Sequence, residues 1–66
     1  MMAFDLLLIV EAHRFCTGAN VHRVKTLIFC YEEAVCQFNE GRPYKTRFED
    51  ELRDFVNGAR DGRHSS

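Results

Sequence analysis

The chain has three cysteines, Cys16, Cys30 and Cys36. An odd number cannot close a disulfide framework within one molecule. Nor do they supply a metal motif. Cys30 and Cys36 are six residues apart, His13 and Cys16 three, and there is no CxxC or HxxxH pair of the kind that holds zinc tetrahedrally. The cysteines are therefore read as small buried hydrophobes, with neither metal nor cofactor expected. Charge of one sign is also missing. Nine Lys+Arg stand against ten Asp+Glu, a formal net charge of −1, which argues against a general nucleic-acid binder whose affinity rests on neutralising phosphates. Long hydrophobic runs are absent. The stretch 6–10, Leu-Leu-Leu-Ile-Val, is too short to span a bilayer and has no basic flank of the signal-peptide type. The expectation is a cytoplasmic protein with reduced thiols and no membrane contact. The chain has no internal repeat and no low-complexity segment.

What is present is apolar material, 45% of 66 residues. A chain this short buries only about 60% of the surface that its unfolded form exposes. Small domains usually need a staple, and without disulfides or a metal the remaining option is a second copy or a partner. The longest ordered pattern is a stripe through Val21, Val24, Ile28, Tyr31, Val35 and Phe38. Its steps alternate three and four, the spacing of a helix that packs against another helix. The stripe is read as a seam of core and self-association.

Around it the chain divides into three helices. Residues 3–16 carry Phe4, Leu7, Leu8, Ala12 and Phe15 on one stripe, and 6–10 is apolar on every face, so this helix is expected to be buried all round. A strand over 4–10 is the competing assignment, and the continuation into Glu11, Ala12, His13 and Arg14 favours helix. Gly18 is suited to a left-handed turn and Asn20 to capping the helix that follows. The second helix, 21–39, stops at Gly41 and Pro43. Thr46-Arg47-Phe48-Glu49 has the form of a capping box and opens a third helix, 47–57, with Phe48, Leu52, Phe55 and Val56 on one side. Glu49 and Arg53 form a favourable i, i+4 pair. Asn57-Gly58 is expected to end it. The fold class is all-α: an antiparallel helix pair (3–16 and 21–39) plus a short third helix (47–57), assembled as a dimeric helical bundle. Residues 1–58 form one domain and 59–66 a flexible tail.

No catalytic constellation is visible. A Cys/His nucleophile needs an electropositive pocket with an oxyanion site, and a bundle of this size has little room for one of roughly 300 Å³. The chain is therefore read as non-enzymatic. In size and design it is like the short accessory proteins with which phages and mobile elements block or redirect a larger protein, an analogy of class rather than of family. The first reading is a regulator or inhibitor that offers a helical surface to a larger protein and forms a homodimer. The second is a dimeric helix-turn-helix-like DNA-binding regulator. It rests on the acid-free stretch from His13 to Lys25, where Asn20, His22, Arg23 and Lys25 could reach phosphates or guanine edges at the start of a recognition helix. The third is an obligate small subunit of a larger assembly. Candidate partner-binding residues are Asn20, His22, Arg23, Lys25, Phe29 and Tyr44. Phe29 lies opposite the seam on the helical wheel, and Tyr44 sits in the loop before the third helix.

Overall fold

A computed structural model describes residues 2–62 and contains three packed helices, α1 (Leu6–Arg14), α2 (Val21–Asn39) and α3 (Arg47–Arg60), with no strand among the described residues. The stretch 4–10 thus contributes to a helix, but a shorter one than 3–16. Asp5 fixes its start. The Asp5 Oδ1 accepts from the Leu8 backbone N–H at 3.1 Å, satisfying one of the donors that the first turn leaves free.

The core forms where the three helices meet. Val24, Ile28, Tyr31 and Val35 of the seam are buried there, together with Leu27 and Ala34 beside it, Leu8 and Ala12 of α1, and Leu52, Phe55 and Val56 of α3. Burial of this aliphatic and aromatic surface, at about 25 cal/mol per Å² of apolar area, is the main favourable contribution to folding. The two ends of the seam depart from it: Val21 is half-buried and Phe38 is exposed. α3 makes its most extensive contact with α2, and α1 packs on both.

The segment before α1 is tied to the far end of α2. The Asn39 side-chain amide pairs with the Met2 backbone in both directions, Nδ2 donating to the carbonyl at 2.9 Å and Oδ1 accepting from the N–H at 2.7 Å. The Tyr31 hydroxyl accepts the Asp5 N–H at 2.8 Å. On the other side, Arg53 of α3 donates to Asp5 at 2.9 Å, and Arg60 pairs with Glu11.

Several local expectations are corrected. Gly18 is not left-handed; the glycines with positive φ are Gly41 (97°) and Gly62 (79°). α1 instead ends through Phe15, whose N–H returns to the Glu11 carbonyl at 3.0 Å. Asn20 makes no side-chain cap on α2, because its Oδ1 accepts from the Thr17 N–H at 2.8 Å and holds the turn. The capping box at Thr46 does not form: Thr46 is already helical in φ and ψ, and its side chain makes no cap bond. Glu49 is drawn away to Arg53 and Tyr44. Asn57-Gly58 does not stop α3, which continues to Arg60 with Gly58 buried. Of the expected tail, 59–66, Ala59 and Arg60 are therefore helical, Asp61 and Gly62 form a turn, and 63–66 lie outside the described residues. The end of α2 follows expectation. The Gly41 N–H bonds the Phe38 carbonyl and the Arg42 N–H the Gln37 carbonyl, each at 3.0 Å, the two bonds of a Schellman motif.

Candidate functional site

Because α2 directs Val24, Ile28, Tyr31 and Val35 inward, those residues meet α1 and α3 of the same chain. The opposite face of α2 carries Phe29 with 57% of its surface exposed, flanked a turn away by Lys25 and Glu33 and two turns away by Cys36, all exposed. Phe29 stands outside the buried core cluster.

The basic residues at the start of α2 are also solvent-exposed. His22, Arg23 and Lys25 all point outward, and Thr26 turns its hydroxyl onto the His22 carbonyl at 2.9 Å. Arg23 borders two surface grooves. One, of about 430 Å³, runs between the α1–α2 turn and the end of α3, with Phe15, Asn20, Leu27, Phe55 and Ala59 around it. The sequence-based expectation of little room for such a volume is thus corrected. Among the described residues the lining of this groove holds no thiol, imidazole or carboxylate. In the other groove Arg23 faces Asp50, Glu51 and Asp54, an acidic wall that offsets its positive field.

Tyr44 is half-buried rather than free. Its hydroxyl donates to Glu49 at 2.6 Å, and its ring meets Phe38 edge to face with centroids 5.7 Å apart. Glu49 in turn accepts from Arg53 Nε at 2.9 Å. Burial, then the bond to Glu49, pushes the Tyr44 phenol well above its ordinary range. The bonds from Tyr44 and Arg53 hold the Glu49 carboxyl below its ordinary value, and Glu49 raises Arg53 further. The chain Tyr44–Glu49–Arg53–Asp5 ties the loop, α3 and the start of α1 into one polar network. Its members are satisfied by one another, which makes it a structural feature.

The sequence-derived candidates therefore do not converge on one site. Asn20, His22, Arg23 and Lys25 share the α2 start, Phe29 lies on its outer face, and Tyr44 is committed to Glu49. A further surface was not anticipated. Leu6, Leu7 and Val10 of α1 are 68%, 68% and 59% exposed, and Phe4 beside them 39%. The expectation that 6–10 is buried all round is thus wrong. Two neighbouring helices cover only the side of α1 that carries Leu8 and Ala12. The signal was in the wheel: Leu6 and Val10, four apart, point away from Leu8 and Ala12.

Among the described residues no group of three or more His, Cys, Asp and Glu side chains is placed to hold a metal ion, and no helix is long and apolar enough to cross a membrane. Compared with protein-family models, curated proteins and solved structures, the chain shows no match.

Proposed function

We propose that this chain is a small non-enzymatic interaction module, a regulator or inhibitor, that forms a homodimer and offers the outer face of α2 to a larger protein. The observation that carries the reading is Phe29, a large aromatic side chain standing in solvent at the middle of the longest helix. Exposed aromatics of this kind are the residues that dominate binding energy when they fill a partner's pocket. Lys25, Glu33 and Cys36 supply a mixed polar rim, which suits a contact that assembles and releases. The finer architecture belongs to the same proposal. With the segment before α1 tied to Asn39 and Tyr31, α1 and α2 run as an antiparallel pair, so that the α2 outer face stays clear of both neighbours.

The test compares partners captured from the producing cells by the native chain and by Phe29→Ala. A protein retained by the first and lost from the second, with equal helical content by circular dichroism, supports the reading. An identical set of captured proteins sinks it.

DNA binding through residues 20–25 is the second reading, favoured by the exposure of His22, Arg23 and Lys25 on the first turns of α2. It predicts duplex affinity that falls steeply with salt and vanishes on charge reversal at Arg23 and Lys25. Absence of binding at low salt removes it.

A further inference from the structure

We infer that the outer face of α2 also binds a second copy of this chain, the two α2 helices crossing antiparallel with Phe29 meeting Phe29 on the two-fold axis. This inference rests on the homodimer in the proposed function and names the surface that makes it. It also makes a second copy and the larger protein alternative occupants of one face.

Charge along the stripe selects the second copy and its direction. His22, Lys25, Phe29, Glu33, Cys36 and Glu40 follow one another at steps of three and four, and all are exposed. His22, Arg23 and Lys25 precede Phe29 with no acid among them, and Glu32, Glu33 and Glu40 follow it with no base. Lys25 and Glu33 stand one turn to either side of Phe29, about 12 Å apart along the helix, too far to pair with each other. No ion pair among the described residues uses Lys25, Glu32 or Glu33. A two-fold axis at Phe29 supplies the missing partners. It sets Lys25 level with the partner's Glu33, with the partner's Glu32 beside it, and makes the same contact a second time in reverse. His22 lies level with the partner's Cys36, a turn from the partner's Glu40. A parallel pair would instead set lysine against lysine and glutamate against glutamate. The antiparallel pair also opposes the helix dipoles and lets the two phenyl rings stack. An unrelated protein would need an apolar centre with acids on one side and bases on the other, and a second copy carries that pattern already.

The approach is open. Val24, Ile28, Tyr31 and Val35 face α1 and α3, so both of those helices lie behind α2. One aromatic anchor with a charged rim makes a small contact, of the transient class below about 1,200 Å² in total. A dissociation constant on the order of 100 µM fits that class. Such a dimer yields the face to a tighter-binding protein. At the roughly 10 µM used for spectroscopy the chain is largely monomeric, and substitutions on this face leave the helical spectrum unchanged.

Sedimentation equilibrium of the full chain up to about 300 µM tests the inference. The native chain is expected to show a weight-average mass that rises with concentration from 7.7 kDa toward twice that value. Phe29→Asp and, separately, Lys25→Glu should each raise the dissociation constant by about fivefold or more, because the two-fold loses each contact twice. Adding Glu32→Lys and Glu33→Lys to Lys25→Glu should restore the native constant, since every facing pair is again of opposite sign. A native chain that stays at 7.7 kDa overturns the inference and the homodimer together, while the larger protein's contact at Phe29 stands or falls by its own capture test. A dimer that survives both single variants overturns the α2 contact and leaves the homodimer standing. A dimer weakened by Phe29→Asp but indifferent to Lys25→Glu, or not recovered by the triple variant, overturns the antiparallel register and the inference with it.

Discussion

The hydroxyl of Tyr31, a buried side chain at the middle of α2, accepts the backbone N–H of Asp5 at 2.8 Å. This bond joins residues 26 apart in sequence and fixes where α1 begins. Asp5 uses its N–H on Tyr31, its Oδ1 on the first turn of α1 and its Oδ2 on Arg53 of α3. One residue therefore registers all three helices. Tyr31→Phe keeps the ring, and with it the edge contact to Phe4, but leaves the Asp5 N–H without its acceptor. A lost bond of this kind costs about 1 kcal/mol, and more where the orphaned group stays dry. For a domain of this length that lowers the melting temperature by roughly 4–8 °C. Unchanged thermal unfolding would show that water replaces the hydroxyl without loss.

The Tyr44–Glu49–Arg53 network predicts a stability profile with two edges. Glu49 is held below its ordinary pKa in the folded chain by Tyr44 and Arg53. Its contribution is present above the unfolded glutamate value and is lost as pH falls through the lower folded one. Tyr44 is shifted upward, so its contribution is present below the ordinary tyrosine value near 10 and is lost as pH rises beyond it. Urea midpoints measured from pH 3 to 11 should fall at both ends. Glu49→Gln should flatten the acid edge. An acid edge of equal steepness in that variant would place the titrating group elsewhere.

How far the sequence announced this structure depends on which residue is considered. The seam from Val24 to Val35 was legible, because a three/four spacing has one helical interpretation and its buried members are all aliphatic or aromatic. The end of α2 was legible because a left-handed Gly41 leaves few alternatives. Asn20 and Thr46 were misjudged for a common reason. A capping side chain competes with other acceptors and donors, and Thr17 takes Asn20 while Tyr44 and Arg53 take Glu49. Gly58 was misjudged because helix propensity is a weak preference of about 1 kcal/mol. The last turn of α3 holds Arg60 against Glu11, a tertiary contact that spacing cannot show. The exposed face of α1 was missed because hydrophobicity alone does not count the neighbours available to cover it.

Two adjacent positions on α2 separate core from surface. Ile28 is 6% exposed and Phe29 57%. Ile28→Asp places an unpaired carboxylate in a dry core, at a cost that exceeds the few kcal/mol that a domain of this size holds in reserve. It is expected to unfold the chain outright rather than produce a folded monomer. Phe29→Asp should change stability by about 0.5 kcal/mol or less. Circular dichroism of the two variants checks this directly. A folded Ile28→Asp would contradict the assignment of the seam to the core.

Gly41 closes α2 at φ 97°, and a Cβ added there would meet nothing within 4 Å. The effect of Gly41→Ala is therefore conformational rather than steric. Forcing an L-residue into the left-handed region costs roughly 1–2 kcal/mol, while the smaller freedom of alanine in the unfolded chain returns about 0.4–1 kcal/mol. The first effect is the larger, so Gly41→Ala should destabilise by about 1 kcal/mol. Gly41→Asn should cost less, because asparagine tolerates this region. The ordering Gly, Asn, Ala in urea midpoint is the expected result. An alanine variant as stable as the native chain would show that the two Schellman bonds to Phe38 and Gln37 do not require a left-handed residue at this position.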